Sequence, residues 1–460
     1  MGGQRGHAVV IGSGICGLTA ARVLTEHFDS VTLLERDTLP DGDERRRGTP
    51  QARHVHGLLA RGAGHLEHLF PGLRTELAEA GAPVYDHGAG ARTRVWAGSL
   101  PTVTVGLEVQ TAHRDALEGA LRRRVAALEK VAVRDSTAVT GLHMSEDGTR
   151  AEGVSVTPAS GGSTEVIEAD LVVDASGRNS ALPDWLTAAG YPAPKETVVD
   201  GGLAYATRTV QVEQEQPAQG LQQMNQPPDR PGGAYASHTG GGRWTVTLFG
   251  AGGQHPPVDN EGWLAYAESL GNEDLDRLLE QSTPLSGVFQ YKATANRRRA
   301  YAGMRRWPER LVALGDSATA FNPVFGQGMT IAVGQCVALG EALAARGGNP
   351  AGLGRQTQRM VARSARIPWL MATSDDLVWS CAMRGARLPL HWRATAWYKQ
   401  RLLHLATRDP GVVKTFMRVY HMLASPAAMA APRIMSRVLF AAKSPSPVSA
   451  AEPVPAPRGS

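Results

Sequence analysis

The first strongly patterned stretch of the chain is short and apolar: His7-Ala-Val-Val-Ile11 runs directly into Gly12-Ser-Gly14-Ile-Cys-Gly17. An unbroken apolar run of this length, ended by glycine, predicts a strand buried on both faces. Residues 15–26 then space their apolar side chains for a helix, and Val31-Thr-Leu-Leu-Glu35 predicts a second buried strand. Strand, glycine turn, helix and acidic strand end together describe a Rossmann-type dinucleotide-binding unit. Gly12 makes the tight turn, Gly14 lets backbone approach a pyrophosphate, and Gly17 lets the helix pack close on the sheet. The free N–H groups and dipole at the helix start attract phosphate. Glu35, 21 residues after Gly14, is placed to accept ribose hydroxyls, with Arg36 beside it as a further candidate contact. A carboxylate there disfavours a 2′-phosphate, so the expected dinucleotide is FAD or NAD.

Two more apolar runs end in a carboxylate: Leu171-Val-Val-Asp174-Ala-Ser-Gly177-Arg178 and Leu311-Val-Ala-Leu-Gly315-Asp316. The second leads into Phe321-Asn-Pro323-Val-Phe-Gly326-Gln-Gly328-Met329 and a helical stretch through Ala344. Such a strand end and loop suit a polyol chain and a second anion-like group at a helix start. A helix over 112–128 opens on Ala-His-Arg114.

Between these units, residues 196–253 alternate with period two and are rich in β-branched and aromatic side chains, which predicts a sheet. The Gln/Pro/Gly-rich stretch 213–233 is expected to be a loop within it. Tyr205, Tyr235, Trp244 and Phe249 are candidates to line a substrate cavity or to fill the core. From Ala351 the pattern is helical and rich in Arg, Trp and Met, and the Ser/Pro stretch after Lys443 is expected to be disordered. The expected fold is α/β, with a Rossmann-type domain, an inserted mixed β-sheet substrate domain and a C-terminal helical layer. The expected division assigns 1–84, 111–194 and 294–350 to the dinucleotide domain, 85–110 and 195–293 to the substrate domain, 351–446 to the helices and 447–460 to the tail.

Composition narrows the function only a little. The 460 residues are 42% hydrophobic and carry 48 basic against 43 acidic side chains, only six of the basic ones being lysine. An arginine bias of this kind can follow genome composition, so no nucleic-acid partner is read from it. Cys16, Cys336 and Cys381 form neither a C-x-x-C nor a zinc spacing, which argues for a reducing compartment and against a dithiol or thiolate-metal site. With no leader pattern and no long apolar run, the expected location is the cytoplasm, with no transmembrane segment. His54, His56, His65 and His68 bunch without an acidic or cysteine partner, so no metal is expected. His56 is a candidate donor to the cofactor or substrate. No second G-x-G-x-x-G appears, so a nicotinamide would have to visit transiently.

The paired N-terminal fingerprint and Gly315-Asp316 motif resemble the single-component FAD-dependent monooxygenases typified by para-hydroxybenzoate hydroxylase. The resemblance implies resident FAD, NADPH or NADH as transient reductant, and oxygen delivery through a flavin C4a-hydroperoxide. It also implies that Asp316 holds ribityl or ribose oxygens, that Pro323, Gly326, Gly328 and Met329 line the ring, that Arg114 contacts the flavin, and that Asp174 touches the pyrophosphate. Ala175 departs from the family's Asp-Gly pattern, which bears on the reductant rather than on FAD. A closer resemblance, to bacterial polyether-type polyene epoxidases, rests on Arg46-Arg-Gly-Thr-Pro50-Gln-Ala-Arg53-His54-Val-His56, Asn296-Arg-Arg and Trp307-Pro-Glu, and adds Arg46 as a flavin contact. It implies epoxidation, with O2, of an alkene in a hydrophobic polyketide or terpenoid intermediate of secondary metabolism, such as antibiotic biosynthesis. Aromatic hydroxylation and a redox-neutral, FAD-bound cyclisation of the Diels–Alder kind are the alternatives.

Overall fold

The apolar strand runs assemble into one parallel sheet. In the computed structural model, which describes residues 6–46 and 48–440, its five strands lie in the order Leu311–Ala313, Leu171–Asp174, His7–Ile11, Ser30–Leu34 and Val131–Arg134. Every neighbouring pair is parallel. Ala8 to Val10 and Leu171 to Val173 are fully withdrawn from solvent, which is why these runs show no polar alternation. Helices Ile15–Leu24 and Gln327–Ala344 share one hydrophobic core with this sheet. Ala151, Val154 and Val156, from a three-stranded antiparallel sheet, join the same core. The first helix stops at Leu24, two residues short of its expected end, where the Thr25 N–H closes back onto Ala21.

The second large sheet has eight strands. Ala204–Val212, Arg243–Gly250 and Gly232–His238 are antiparallel neighbours at its centre. The sheet is mixed because Gly220–Gln223 pairs in parallel with Ala91–Val95. That pairing corrects the expectation of a plain loop over 213–233: a four-residue strand inside it carries too few side chains to show an alternation. Period two decides what each face does. Ala206, Val210, Val246 and Leu248 pack against Trp263, Leu275 and Leu278 of helices Asn260–Ser269 and Glu273–Glu280. The other face carries Tyr205, Thr207, Thr247 and Phe249, and its two threonines bond to His54 and to the Val55 N–H.

Four further helices, Leu353–Met383, Leu390–Ala406, Pro410–Tyr420 and Pro432–Phe440, close the fold. The expected tail at 447–460 lies outside the described residues. No described helix is long and apolar enough to cross a membrane.

Candidate cofactor and substrate cleft

The C-terminal ends of the parallel strands open into a cleft of about 440 Å³. Gly12 sits at φ +96°, where a side chain would be strained and where a Cβ would come 2.8 Å from the Ala175 carbonyl oxygen. Gly17 is not on the cleft surface. A Cβ there would fall 1.7 Å from the Gly12 carbonyl oxygen, so its part is the close helix–turn packing that holds the turn in shape. Gly14 does line the cleft, at the N-terminus of the ten-residue first helix, whose cap position has no side-chain partner. An anion placed there would meet free N–H groups and the positive end of the dipole.

Glu35 lies beside this turn and is buried. Its Oε2 accepts from the Ser13 N–H and Ser13 hydroxyl, both at 2.9 Å, and from Arg46 at 2.9 Å. Burial by itself would raise the carboxyl pKa, but Arg46 and the Ser13 N–H outweigh it, and Glu35 is held below the usual range. Arg46 also donates to Glu118 at 2.7 Å and lies 3.5 Å from Asp37. It lines the cleft at the glycine-turn end, its Nη2 3.7 Å from where a Gly14 Cβ would stand, and is locked among carboxylates. Arg36 reaches the rim and is 65% exposed.

Asp174 is a clear correction. Its carboxylate is fully buried and does not face the cleft. It accepts from the Ser176 N–H at 3.0 Å, the Ser176 hydroxyl at 2.5 Å and the Ser180 hydroxyl at 2.6 Å, and so closes its own turn. The residues it positions, Ala175 to Arg178, are the ones that line the cleft. Arg178 then bridges two segments, donating to the Ala295 carbonyl at 2.5 Å and the Phe321 carbonyl at 3.0 Å.

Asp316 lines the cleft and, among the described residues, makes no hydrogen bond. Burial raises its pKa, and Arg178 and Arg114 offset only part of that rise. A carboxylate left without a partner in a cleft calls for hydroxyl donors from a ligand. Pro323, Gly326, Gly328 and Met329 line the same end, and Arg114 stands across from them with its Nε buried and unpartnered. A side cavity of about 40 Å³, walled by Leu58, Leu66, Leu73 and Leu77, adjoins the cleft at His56, Arg114 and Met329.

The segment 54–56 is pinned to the large sheet. His54 Nδ1 is 2.7 Å from the Thr207 hydroxyl, and the Val55 N–H donates to the Thr247 hydroxyl at 3.1 Å. His54 Nε2 is buried without a partner, while His56 Nδ1 is 2.8 Å from the His54 carbonyl oxygen. Burial, aided by Arg45 and Arg53, lowers His54 to about 4; burial and Arg114 lower His56 to about 3. Both rings are neutral near pH 7 and are weak bases. His65 and His68, on helix Ala60–Leu69, are not part of the cleft lining.

Of the four sheet aromatics, Tyr205 faces the cleft. Tyr235 stacks on Phe249 and donates to the Val324 carbonyl at 3.1 Å, so it supports the ring loop from behind. Trp244 packs on the helix-covered face. Tyr291 and Phe321 complete the aromatic wall and were not singled out by the sequence pattern.

A buried clamp fixes the loop. Asp376, on the long helix Leu353–Met383, accepts from Asn322 Nδ2 at 3.0 and 3.1 Å and from Asn296 Nδ2 at 2.5 Å. Asn296 in turn accepts the Asn322 N–H at 2.8 Å, and Asn322 accepts the Val324 N–H at 3.1 Å.

A glycine turn for a diphosphate, a ribose-facing carboxylate, an unpartnered carboxylate for a polyol and an apolar ring-sized end are the features FAD requires, so the residues present fit that cofactor. Residues 6–353 match the family model described as an FAD binding domain. The chain belongs to this family of group A flavin monooxygenases. It is 34% identical to protein Rv3254 of Mycobacterium tuberculosis (strain ATCC 25618 / H37Rv) over 92% of this chain and 91% of that protein. It is 26% identical to kynurenine 3-monooxygenase of Salinispora tropica over 75% of this chain and 74% of that enzyme. Among solved structures, the flavin-dependent brominase Bmp2 aligns with a TM-score of 0.64 at 16% identity, covering 90% of this chain and 93% of that one, which is a likeness of fold. Family membership and fold agree with the α/β architecture read from the sequence.

Proposed function

We propose that the protein is a monooxygenase that transfers one oxygen atom of O2 to a hydrophobic small molecule, with NADPH or NADH as transient reductant and alkene epoxidation as the reaction. The observation that carries this reading is the character of the cleft's ring end. Tyr205, Tyr291, Phe321 and Met329 wall it, and the two histidines there are neutral and weakly basic. Hydroxylating a phenol benefits from a base that removes the phenolic proton; oxygen transfer to an alkene needs none.

FAD, when bound, supplies the electron transfer and oxygen activation. The chain's own residues do the rest. The Gly12–Gly14 turn and first helix receive the diphosphate, and Glu35, held ionised by Arg46, takes the ribose hydroxyls. Asp316 accepts from the polyol. His54 Nε2 and Arg114 Nε, buried without partners, are available to the polar edge of the ring. Asn322 and Arg178 set the position of the loop that lines it. The sheet formed by 85–110 and 195–293 walls off water, and the side cavity suits a small apolar reactant such as O2.

The test is a pair of half-reactions. Under anaerobic NADPH or NADH the bound flavin should bleach, and O2 should restore its colour, with product formed when a polyene is present. Product formed without O2, or a flavin that no nicotinamide reduces even with substrate, would replace this reading with the redox-neutral cyclase.

A further inference from the structure

Positive charge is concentrated in one stretch of the chain. Between Arg384 and Phe440 there are ten arginines and lysines and one carboxylate, Asp409, whereas the other residues carry 38 basic and 42 acidic side chains. The net positive charge of the chain thus resides entirely in its last helices. Arg384, Arg393, Arg408, Lys414, Arg418 and Arg433 are exposed, and none pairs with a carboxylate among the described residues.

The same helices expose large apolar side chains. Leu390 is 77% exposed, Leu439 47%, Trp397 46% and Met435 40%. Leu390, Ala394, Trp397 and Arg401 recur at helical spacing along one face of Leu390–Ala406. The Arg401 guanidinium lies 5.2 Å from the Trp397 ring centre, and its Nε donates to the Val438 carbonyl at 2.7 Å. That bond joins this face to helix Pro432–Phe440, where Met435 and Leu439 are one turn apart. The inward residues Leu402, Leu403, Ala406 and Val438 are already buried, so the exposed set is surplus to the core.

We propose that this face docks on an anionic lipid surface, lying in the headgroup layer without crossing it. Exposed tryptophan and leucine on helices that also carry exposed arginines without carboxylate partners match an interface with apolar depth and negative charge. A second copy of the chain is a poor occupant, because a two-fold contact would set the exposed basic side chains of one copy, which lack carboxylate partners, against those of the other. An acidic protein would meet the charges, but singly projecting apolar side chains suit a deformable headgroup layer better than a matched protein groove.

The test uses the full-length FAD-loaded protein and sedimentation with vesicles of phosphatidylcholine alone or in equal parts with phosphatidylglycerol. Binding to the mixed vesicles should exceed that to the neutral ones by about ten-fold or more and should weaken as salt rises. The variant R393E/R418E/R433E should lose it, and L390S/W397S should weaken it, both with unchanged flavin spectrum and FAD content. No binding to anionic vesicles, equal binding to neutral ones, or indifference to the charge-reversal variant would overturn the proposal. So would light scattering that shows a dimer dispersed by L390S/W397S, or capture of an acidic carrier domain in place of vesicles.

Discussion

Asp376 joins the long C-terminal helix to the loop that lines the ring end of the cleft, and its removal should loosen that loop while sparing the parallel sheet. In D376A the Nδ2 groups of Asn322 and Asn296 lose their acceptor at positions only 2% and 0% exposed. A buried donor left unpaired costs about 1–3 kcal/mol, so two cost roughly 2–6 kcal/mol. Part of that is offset because the buried carboxylate carries a penalty of its own. Burial, with Asp375 beside it, lifts Asp376 to about 7, against an ordinary value near 4. The folded protein keeps this proton up to about pH 7, whereas the unfolded chain releases it near pH 4. Stability therefore falls as pH rises through that window, by about 1.4 kcal/mol per pH unit from this group, and is flat on either side. Asparagine is uncharged and retains one acceptor oxygen, so the D376N protein should gain on the parent progressively between about pH 4 and pH 7. The assay is flavin release and thermal melting of parent, D376A and D376N at about pH 5 and pH 8, with FAD affinity from reconstitution of the apoprotein. D376A should bind FAD about 10–100-fold more weakly, a share of roughly 1.4–3 kcal/mol of the lost bonding. A D376A protein with FAD affinity within about two-fold of the parent, or a D376N advantage that does not change with pH, would refute the clamp.

Three other outcomes are expected. D316A should lose about ten-fold or more in FAD affinity while the apoprotein melts at or above the parent's temperature, because Asp316 bonds nothing within the chain; calorimetric titration and apoprotein melting decide it. G17A should fail to retain FAD in purified protein, since its methyl would overlap the Gly12 carbonyl at 1.7 Å and force the turn apart; the flavin absorbance after gel filtration is the measure. The kcat/KM profile should show no histidine titration between about pH 5.5 and pH 8.5, since His54 and His56 lie at about 4 and 3, and H54Q should leave that flat profile in place. An inflection near pH 6.5 abolished by H54Q would contradict the burial argument.

The nucleotide end was legible in the sequence because its parts are local: one strand, one turn and one helix within thirty residues express their geometry in glycine spacing and apolar runs. Asp174 shows where local reading stops. A carboxylate at a strand end looks the same whether it reaches a ligand or closes its own turn, and the serines at 176 and 180, which settle the matter, carry no signature. Arg46 was read from its own stretch of sequence, yet the partners that hold it, Glu35 and Glu118, lie 11 and 72 residues away. The ring end is assembled from still more distant pieces. His54 meets Thr207, Phe321 meets Arg178, and Asn322 meets Asp376, so no window of sequence contains the wall. Tyr291, on a three-residue strand, had no pattern to reveal it.

The order of strands in the parallel sheet has a consequence for how the chain comes into being. His7–Ile11 and Leu171–Asp174 are neighbours, but the edge strand Leu311–Ala313 and the carboxylate of Asp316 follow only after 300 residues of other structure. At about 5–20 residues per second of synthesis, the glycine turn waits roughly 15–60 seconds before the other half of its cleft leaves the ribosome. From the emergence of Leu171–Asp174 until Leu311–Ala313 joins it, the sheet has an open, apolar edge, and the nascent chain has no complete seat for a stabilising cofactor. Cofactor capture is therefore a late event in the life of this protein, and the unfinished edge is the place where a stalled or truncated chain is most exposed to aggregation.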